Sequence, residues 1–201
     1  IMISVYKIKP KFQKLLQPIL VFLRNIGVSP NQITIFTVFF SIAIGVFLFF
    51  GIENKIWFLF VALGLLLRMA LNALDGMMAK QFNLQSKKGE ILNELGDVIS
   101  DLAIFFPFIY FDSLKTEYVI IFIVFSIINE FCGILSKSIY GERRYDGPMG
   151  KSDRALLVGL ICIALYFTDT ILTYLDHIFL LGSFLMIISS YLRLTKSNRN
   201  E

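Results

Sequence analysis

The fold of this chain is decided by two polar stretches, Asn72-Ala-Leu-Asp75-Gly76-Met-Met-Ala79-Lys80 and Gly89-Glu-Ile-Leu-Asn93-Glu-Leu-Gly-Asp97. They interrupt a sequence in which 56% of the residues are hydrophobic and 21 are phenylalanine, whereas soluble domains average roughly 45–50% apolar residues. A charged side chain at the centre of a membrane helix costs about 2.5–3.5 kcal/mol. Acidic residues grouped in such a sequence therefore predict a polar site inside a membrane protein.

Six apolar windows are long enough to cross the roughly 30 Å hydrocarbon core of a bilayer. Because the connections between them are short, we expect one all-α integral membrane domain over residues 1–201. Residues 1–29 would form an interfacial segment, and residues 30–201 a bundle of six transmembrane helices. The predicted spans are 31–50, 56–74, 91–111, 117–138, 153–169 and 173–192.

The segment 9–26 repeats apolar residues with helical spacing between basic ones. This pattern predicts an N-terminal amphipathic helix that lies in the membrane interface. The alternative is an ordinary basic flank of the first span. Ser29 and Pro30 follow, and they predict an N-cap and a first-turn proline for that span.

Basic residues predict the orientation of the chain in the membrane. With both termini in the cytoplasm, 17 of the 19 Lys and Arg residues lie on the cytoplasmic side, and only Lys55 and Lys115 lie outside. The positive-inside rule therefore predicts cytoplasmic termini and a cytoplasmic site in a bacterial-type inner membrane. The net charge of +4 then describes a membrane-facing rim, and we expect no nucleic-acid partner.

The spacing of the polar residues places them on shared helix faces. Asn72 and Asp75 are three residues apart in the second span. Asn93, Asp97 and Asp101 follow each other at intervals of four in the third span. Facing stripes would cluster carboxylate and carboxamide oxygens, which favour a hard cation such as Mg²⁺ or Mn²⁺. The alternative is that these acids neutralise nearby arginine and lysine side chains.

The two stretches resemble the signature of the CDP-alcohol phosphotransferase family. That signature is Asp-x-x-Asp-Gly-x-x-Ala-Arg, a spacer of about eight residues, and Gly-x-x-x-Asp-x-x-x-Asp. The spacing here matches without insertion, because the eight residues 81–88 separate Lys80 from Gly89. Six helices, an amphipathic N-terminal helix and a Pro-Asn-x-x-Thr segment, here residues 30–34, are also similar to the family.

Three positions depart from the signature. Asn72 and Asn93 stand in place of aspartates, and Lys80 stands in place of arginine. Asparagine keeps a carbonyl ligand but loses the negative charge, so one divalent ion, or a weaker pair, is favoured over a two-metal site. Lys80 keeps the charge of arginine but loses its bidentate geometry. Asp101 and Glu94 are candidates to contribute in a shifted arrangement.

The resemblance implies transfer of a phosphoalcohol group from a CDP-linked donor, usually CDP-diacylglycerol, to an alcohol hydroxyl with release of CMP. It also implies a homodimer, and it makes Asp97 the general base. The implied metal ligands are Asn72, Asp75, Asn93 and Asp97, with Asp101 in the shifted arrangement. The implied CDP-binding residues are Asn72, Asp75, Gly76, Ala79, Lys80 and Gly89.

A polar segment leading into the fifth span is the candidate acceptor site. Its cations suit a phosphorylated or anionic acceptor or a lipid phosphate, and equally a positive-inside loop at anionic headgroups. The candidate residues are Arg143, Arg144, Lys151, Asp153 and Arg154. Asn129 and Glu130 in the fourth span either face the same cavity or form an interhelical hydrogen bond.

Two other functions stay open at this point. The asparagines at positions 72 and 93 are compatible with a non-catalytic relative that binds a CDP-lipid or regulates a partner. A small transporter with an acidic site is the other alternative, although we see no inverted repeat. His177 is the only histidine, and Cys132 and Cys162 lack motif spacing, so we expect neither a catalytic triad nor a zinc site.

Overall fold

The structure, a computed structural model, describes residues 9–195, and within this range the chain forms helices and no β-strand. Residues 1–8 and 196–201 lie outside the described residues, together with the basic Lys7, Lys196 and Arg199 that enter the orientation prediction. The α-helices are α1 (Lys9–Asn25), α2 (Pro30–Phe50), α3 (Ile56–Gln81), α4 (Lys87–Phe105), α5 (Thr116–Tyr140), α6 (Lys151–Phe167) and α7 (Leu175–Thr195). Short 3-10 helices, Phe106–Tyr110 and Asp169–Tyr174, follow α4 and precede α7.

Four helical segments are long and apolar enough to cross a membrane, namely Pro30–Phe50, Ile56–Gln81, Thr116–Tyr140 and Asp169–Thr195. The other two predicted spans fall on α4 and α6. Charged residues, Asp97 and Asp101 among them, interrupt α4. α6 has only 17 residues, or about 26 Å of helix. Among the described residues, four helices can therefore cross a membrane by their length and composition, and the crossing of the membrane by α4 and α6 stays a prediction.

The start of α2 follows from a capping box. The Ser29 hydroxyl accepts the Gln32 backbone N–H at 3.3 Å, and the Ser29 N–H donates to Gln32 Oε1 at 2.8 Å. These two bonds satisfy backbone donors that have no partner at a helix start. Pro30 occupies the first helical turn, so the predicted beginning of this helix is confirmed.

Glycines let α2 lie close to α4. A Cβ atom on Gly45 would lie 2.1 Å from the Ala103 carbonyl oxygen, and one on Gly96 would lie 3.0 Å from Val38 Cγ2. Since α2 also packs against α3, it lies between the two helices that carry the polar stretches. This arrangement joins the stretches through α2.

A small second core docks α1 onto this bundle. Leu16 and Leu20 are buried and belong to one apolar cluster, whose other buried members are Ile33, Leu74 and Met78. On the opposite face of α1, Leu15 is 72% and Phe22 61% exposed. A helix with one docked and one exposed apolar face suits the interfacial position predicted for it, which stays a prediction.

We expect the Gly45→Ala variant to melt at a lower temperature than the wild type in detergent. The added methyl group would force α2 and α4 apart, and overpacking of this kind costs about 1–3 kcal/mol. Gly76→Ala is the matched control, because a Cβ atom there meets nothing within 4 Å. Equal melting temperatures for Gly45→Ala and wild type would contradict the close packing of α2 on α4.

Candidate active site

Three carboxylates on one face of α4 each contact a cation of the segment 143–154, which comprises the loop after α5 and the first turn of α6. Their spacing of three and four residues places them on successive turns of the helix. The pairs are Glu94 with Arg143, Asp97 with Lys151, and Asp101 with Arg154. These ion pairs hold residues 143–154 against α4.

Asp97 and Asp75 come from different helices and lie within electrostatic range of Lys151 and of each other. Lys151 Nζ contacts Asp97 Oδ1, and the Asp97 side chain is 9% exposed. Both carboxylates interact electrostatically with Lys151 and with each other. The Thr34 hydroxyl donates a hydrogen bond of 3.0 Å to Asp75 Oδ2 and so anchors this carboxylate to α2. The structure thus brings together one carboxylate from each polar stretch.

The two asparagines accompany these carboxylates along their helices. Asn72 lies one turn before Asp75, and Asn93 lies one turn before Asp97; both asparagines are half-buried. Gly76 is exposed, and no atom lies within 4 Å of the place where its Cβ would be. The surface beside Asp75 therefore has room for a ligand to approach the backbone of α3.

The remaining residues of the two stretches lie nearer the helix ends. Ala79 is half-buried, and Lys80 is exposed in the last turn of α3. The Gly89 N–H donates to the Ser86 hydroxyl at 3.0 Å, which caps α4. A Cβ atom on Gly89 would lie 2.8 Å from Asn31 Oδ1, so this glycine also lets α4 lie close to α2.

Asp101 is bound by two buried arginines. Its Oδ1 accepts a hydrogen bond of 2.8 Å from Arg68 Nη2. Its Oδ2 accepts bonds of 3.0 Å from Arg154 Nε and 2.7 Å from Arg154 Nη2. Because both oxygens are used in this way, Asp101 joins α3, α4 and α6, and these contacts do not support its expected role as a metal ligand.

The polar cluster continues into α5. Glu130 accepts hydrogen bonds of 2.7 Å from Arg154 Nη2 and from Arg143 Nη2. Asn129 donates to the Met186 carbonyl oxygen at 3.3 Å, which links α5 to α7. Asn129 Oδ1 also accepts a hydrogen bond of 3.4 Å from Arg154 Nη1. Glu130 and Asn129 therefore both contact the charged cluster, and Asn129 in addition makes an interhelical hydrogen bond.

The expected acceptor residues occupy different environments. Arg143 is half-buried, and burial lowers the pKa of its guanidinium below the ordinary value, although arginine remains charged in proteins. Arg144 has a buried Nη1 atom with no hydrogen-bond partner in the described part of the chain. Asp153 Oδ2 accepts the Gly150 N–H at 3.1 Å and caps α6.

Three partners of the cluster were not predicted from the sequence: Thr34 for Asp75, Arg68 for Asp101, and Arg193. Arg193 is 1% exposed and donates hydrogen bonds to backbone carbonyl oxygens of α5 and of the loop that follows. Arg68 lies inside an apolar stretch, where an unpaired cation is costly. That cost is the signal that could have marked Arg68 as a member of a buried charged cluster, whereas Arg193 lies in the last turn of α7 and carries no such signal.

The sequence profile of the CDP-alcohol phosphatidyltransferase family matches residues 27–194. The chain belongs to this family. The match begins just before α2 and ends within α7, so it includes all six helices around the charged cluster. The resemblance carried by the two polar stretches is confirmed.

Relatives of this CDP-alcohol phosphatidyltransferase family member occur in bacteria. The chain is 44% identical to the inner membrane protein YnbA of Escherichia coli K12 over 165 residues, which is 81% of this chain and 82% of YnbA. An uncharacterized protein of Aquifex aeolicus VF5 is 36% identical over 96 residues, covering 47% of this chain and 46% of that protein. With its apolar helices, the chain is an integral membrane protein of the bacterial inner-membrane type.

Solved structures of the Mycobacterium tuberculosis phosphatidylinositol phosphate synthase PgsA1 share the fold. The crystal structure with CDP-DAG bound gives a TM-score of 0.73 at 20% identity, over 92% of this chain and 94% of that one. The complex with manganese and citrate gives 0.71 at 20% identity, over 90% of this chain and 87% of that one. At this level of identity the likeness establishes the fold alone.

Proposed function

We propose that this protein synthesises a phospholipid by moving a phosphatidyl group from CDP-diacylglycerol to the hydroxyl of an alcohol, with release of CMP. The observation that carries the proposal is the contact of Lys151 with Asp97, with Asp75 within electrostatic range of both residues. Asp75 and Asp97 belong to the family signature. Acidic and basic groups gathered in this way can bind a pyrophosphate and accept a proton. CDP-DAG bound in the PgsA1 fold supports a CDP-lipid as the donor.

The donor atoms of this site fit a hard divalent cation. Among residues 9–195, no three His, Cys, Asp or Glu side chains converge on one point. We assign as ligands the carboxylates of Asp75 and Asp97, which interact electrostatically, and the carboxamide oxygens of Asn72 and Asn93, which lie one turn before them. Mg²⁺ and Mn²⁺ prefer such oxygen ligands, and substrate phosphates and water complete their coordination. When bound, the cation would neutralise the pyrophosphate and stabilise the negative charge that develops on the departing CMP.

Asp97 is the proposed general base. The hydroxyl oxygen of the alcohol forms a bond to the phosphorus that carries the diacylglycerol, and the bond from that phosphorus to the CMP oxygen breaks. Asp97 accepts the hydroxyl proton, and CMP leaves with the electron pair of the broken bond. The contact of Lys151 with Oδ1 is compatible with this role, because a carboxylate has about four lone-pair positions.

The nucleotide and the acceptor would occupy different parts of the site. Gly76, Ala79 and Lys80 would contact the CDP group, with Gly89 holding the start of α4 close to α2. Arg144, whose buried Nη1 is without a partner among the described residues, would receive an anionic group of the acceptor. Arg143 and Arg154 are held by carboxylates and would shape the pocket.

In the membrane, we propose that α2–α7 cross as six spans, with α1 in the interface and with the termini and the site in the cytoplasm. The two lysines assigned to the outer side are compatible with this orientation, because an aspartate on the same side offsets the positive charge of each. Lys55 pairs with Asp169 at 2.6 Å, and Lys115 with Asp176 at 3.9 Å. We also propose a homodimer, as the family resemblance implies.

The test is CMP release by the purified protein in detergent with CDP-diacylglycerol, a panel of alcohols, and Mg²⁺ or Mn²⁺. We expect release with one class of acceptor and no release in EDTA. A second panel tests the reversed arrangement, in which a soluble CDP-alcohol is the donor and diacylglycerol is the acceptor. Binding of CDP-diacylglycerol without CMP release under all conditions would overturn the enzyme and favour the non-catalytic relative that Asn72 and Asn93 suggest.

A further inference from the structure

Lys151 is held at Asp97 by a second ion pair, between Arg154 and Asp101, one helical turn away. Arg154 follows Lys151 by three residues on α6, and Asp101 follows Asp97 by four residues on α4. Two adjacent ion pairs therefore link α4 and α6, one between Lys151 and Asp97 and the other between Arg154 and Asp101. Since the Arg154 side chain is fully buried, its ion pair with Asp101 fixes the start of α6.

The Lys151 side chain is nevertheless open to a ligand. It is 25% exposed, whereas its neighbour Arg154 is 0% exposed. The Lys151 ammonium contacts Asp97 on α4 and lies within electrostatic range of Asp75 on α3. A phosphate group that approaches these carboxylates would meet this ammonium group.

The charges at the site favour one divalent cation over two. Asp75 and Asp97 carry two negative charges, and Asn72 and Asn93 carry none. Two divalent cations would bring four positive charges to these two carboxylates, in addition to the Lys151 ammonium already in contact with Asp97. Displacement at phosphorus nevertheless benefits from positive charge on both the entering and the leaving oxygen. An ammonium group can provide one of these charges as a compact point charge with three donors.

We infer that Lys151 supplies the second positive charge of this reaction centre, beside a single divalent cation, and that it contacts the phosphate of the donor. This inference rests on the proposed function. The inference makes Asn72 and Asn93 compatible with an active enzyme. If a lysine ammonium replaces the second metal ion, the site needs fewer negatively charged ligands.

The experiment counts bound Mn²⁺ by electron paramagnetic resonance during titration of the purified protein in detergent with CDP present. We expect one Mn²⁺ per chain in the wild type. In Lys151→Gln we expect one Mn²⁺ bound about tenfold more tightly, because a cation no longer competes at Asp97. Lys137→Gln is the matched control, since Lys137 also pairs with an α4 carboxylate, Glu90, but at a site where both side chains are over 40% exposed. Its Mn²⁺ affinity should equal that of the wild type.

A double variant, Asn93→Asp with Lys151→Gln, tests the exchange of a lysine for a metal. We expect it to bind two Mn²⁺ per chain and to regain part of the turnover that Lys151→Gln loses. Two Mn²⁺ in the wild type, or equal affinities in Lys151→Gln and Lys137→Gln, would overturn the inference. Absence of CMP release from the wild type would instead overturn the proposed function, and the Mn²⁺ count and affinities would still decide the position of Lys151 beside the cation.

Discussion

Asp97→Asn should lower the rate of CMP release by about 10²- to 10⁴-fold, the usual contribution of a general base. The substitution keeps the size of the side chain and removes its charge. It takes away the proton acceptor, one of the two carboxylates proposed for the cation, and the ionic partner of Lys151. Three losses at one position place the expected effect at the upper end of this range. The measurement is CMP release under saturating donor, with Mn²⁺ binding followed in the same samples.

Glu90→Gln is the control for this substitution. Glu90 is also a carboxylate of α4 in contact with a lysine, but its side chain is 46% exposed. Exposed ion pairs contribute only about 0–1 kcal/mol to stability, so this variant should keep the wild-type rate and melting temperature. If Asp97→Asn retained the full rate, Asp97 would be excluded as the base.

The positions of the helices could be predicted from local rules. Ser29 and Pro30 mark the start of α2, because capping depends on residues within one turn. The apolar windows overlap α2–α7, because an apolar run of about 20 residues has the length of a helix that crosses a membrane. The signature residues could also be assigned, since their spacing fixes which of them share a face of one helix.

The partners of the charged residues could not be predicted in the same way. Helical spacing gives the face on which Asp101 lies, but it does not say which helix meets that face. In the structure Arg68 from α3 and Arg154 from α6 take both oxygens of Asp101. The contact of Lys151 with Asp97 likewise joins residues that are 54 positions apart in the sequence. Such long-range contacts depend on how the helices pack around α2, and local sequence patterns do not predict this packing.

Arg154→Met should destabilise the protein more than any surface substitution, by about 3–5 kcal/mol, the usual effect of breaking a buried ion pair from one side. Methionine keeps the apolar part of the side chain and removes the guanidinium. Asp101 and Glu130 would then share the protein interior with one cation fewer, since Arg154 contacts both at 2.7 Å. The Met149 carbonyl oxygen would also lose its hydrogen bond from Arg154, at 3.1 Å.

Thermal unfolding in detergent measures this effect, with Lys55→Met as the control. Lys55 also forms an ion pair with an aspartate on another helix, but its side chain is 47% and that of Asp169 65% exposed, so its loss should cost no more than about 1 kcal/mol. Arg154→Met should also lower CMP release at temperatures where the variant remains folded. The substitution removes the ion pair between Arg154 and Asp101, which positions Lys151 at Asp97. Equal melting temperatures for the two variants would contradict a buried network around Arg154. The position of Lys151 would then have to be set by the loop alone, and Lys151→Gln would be the variant with the larger effect on the site.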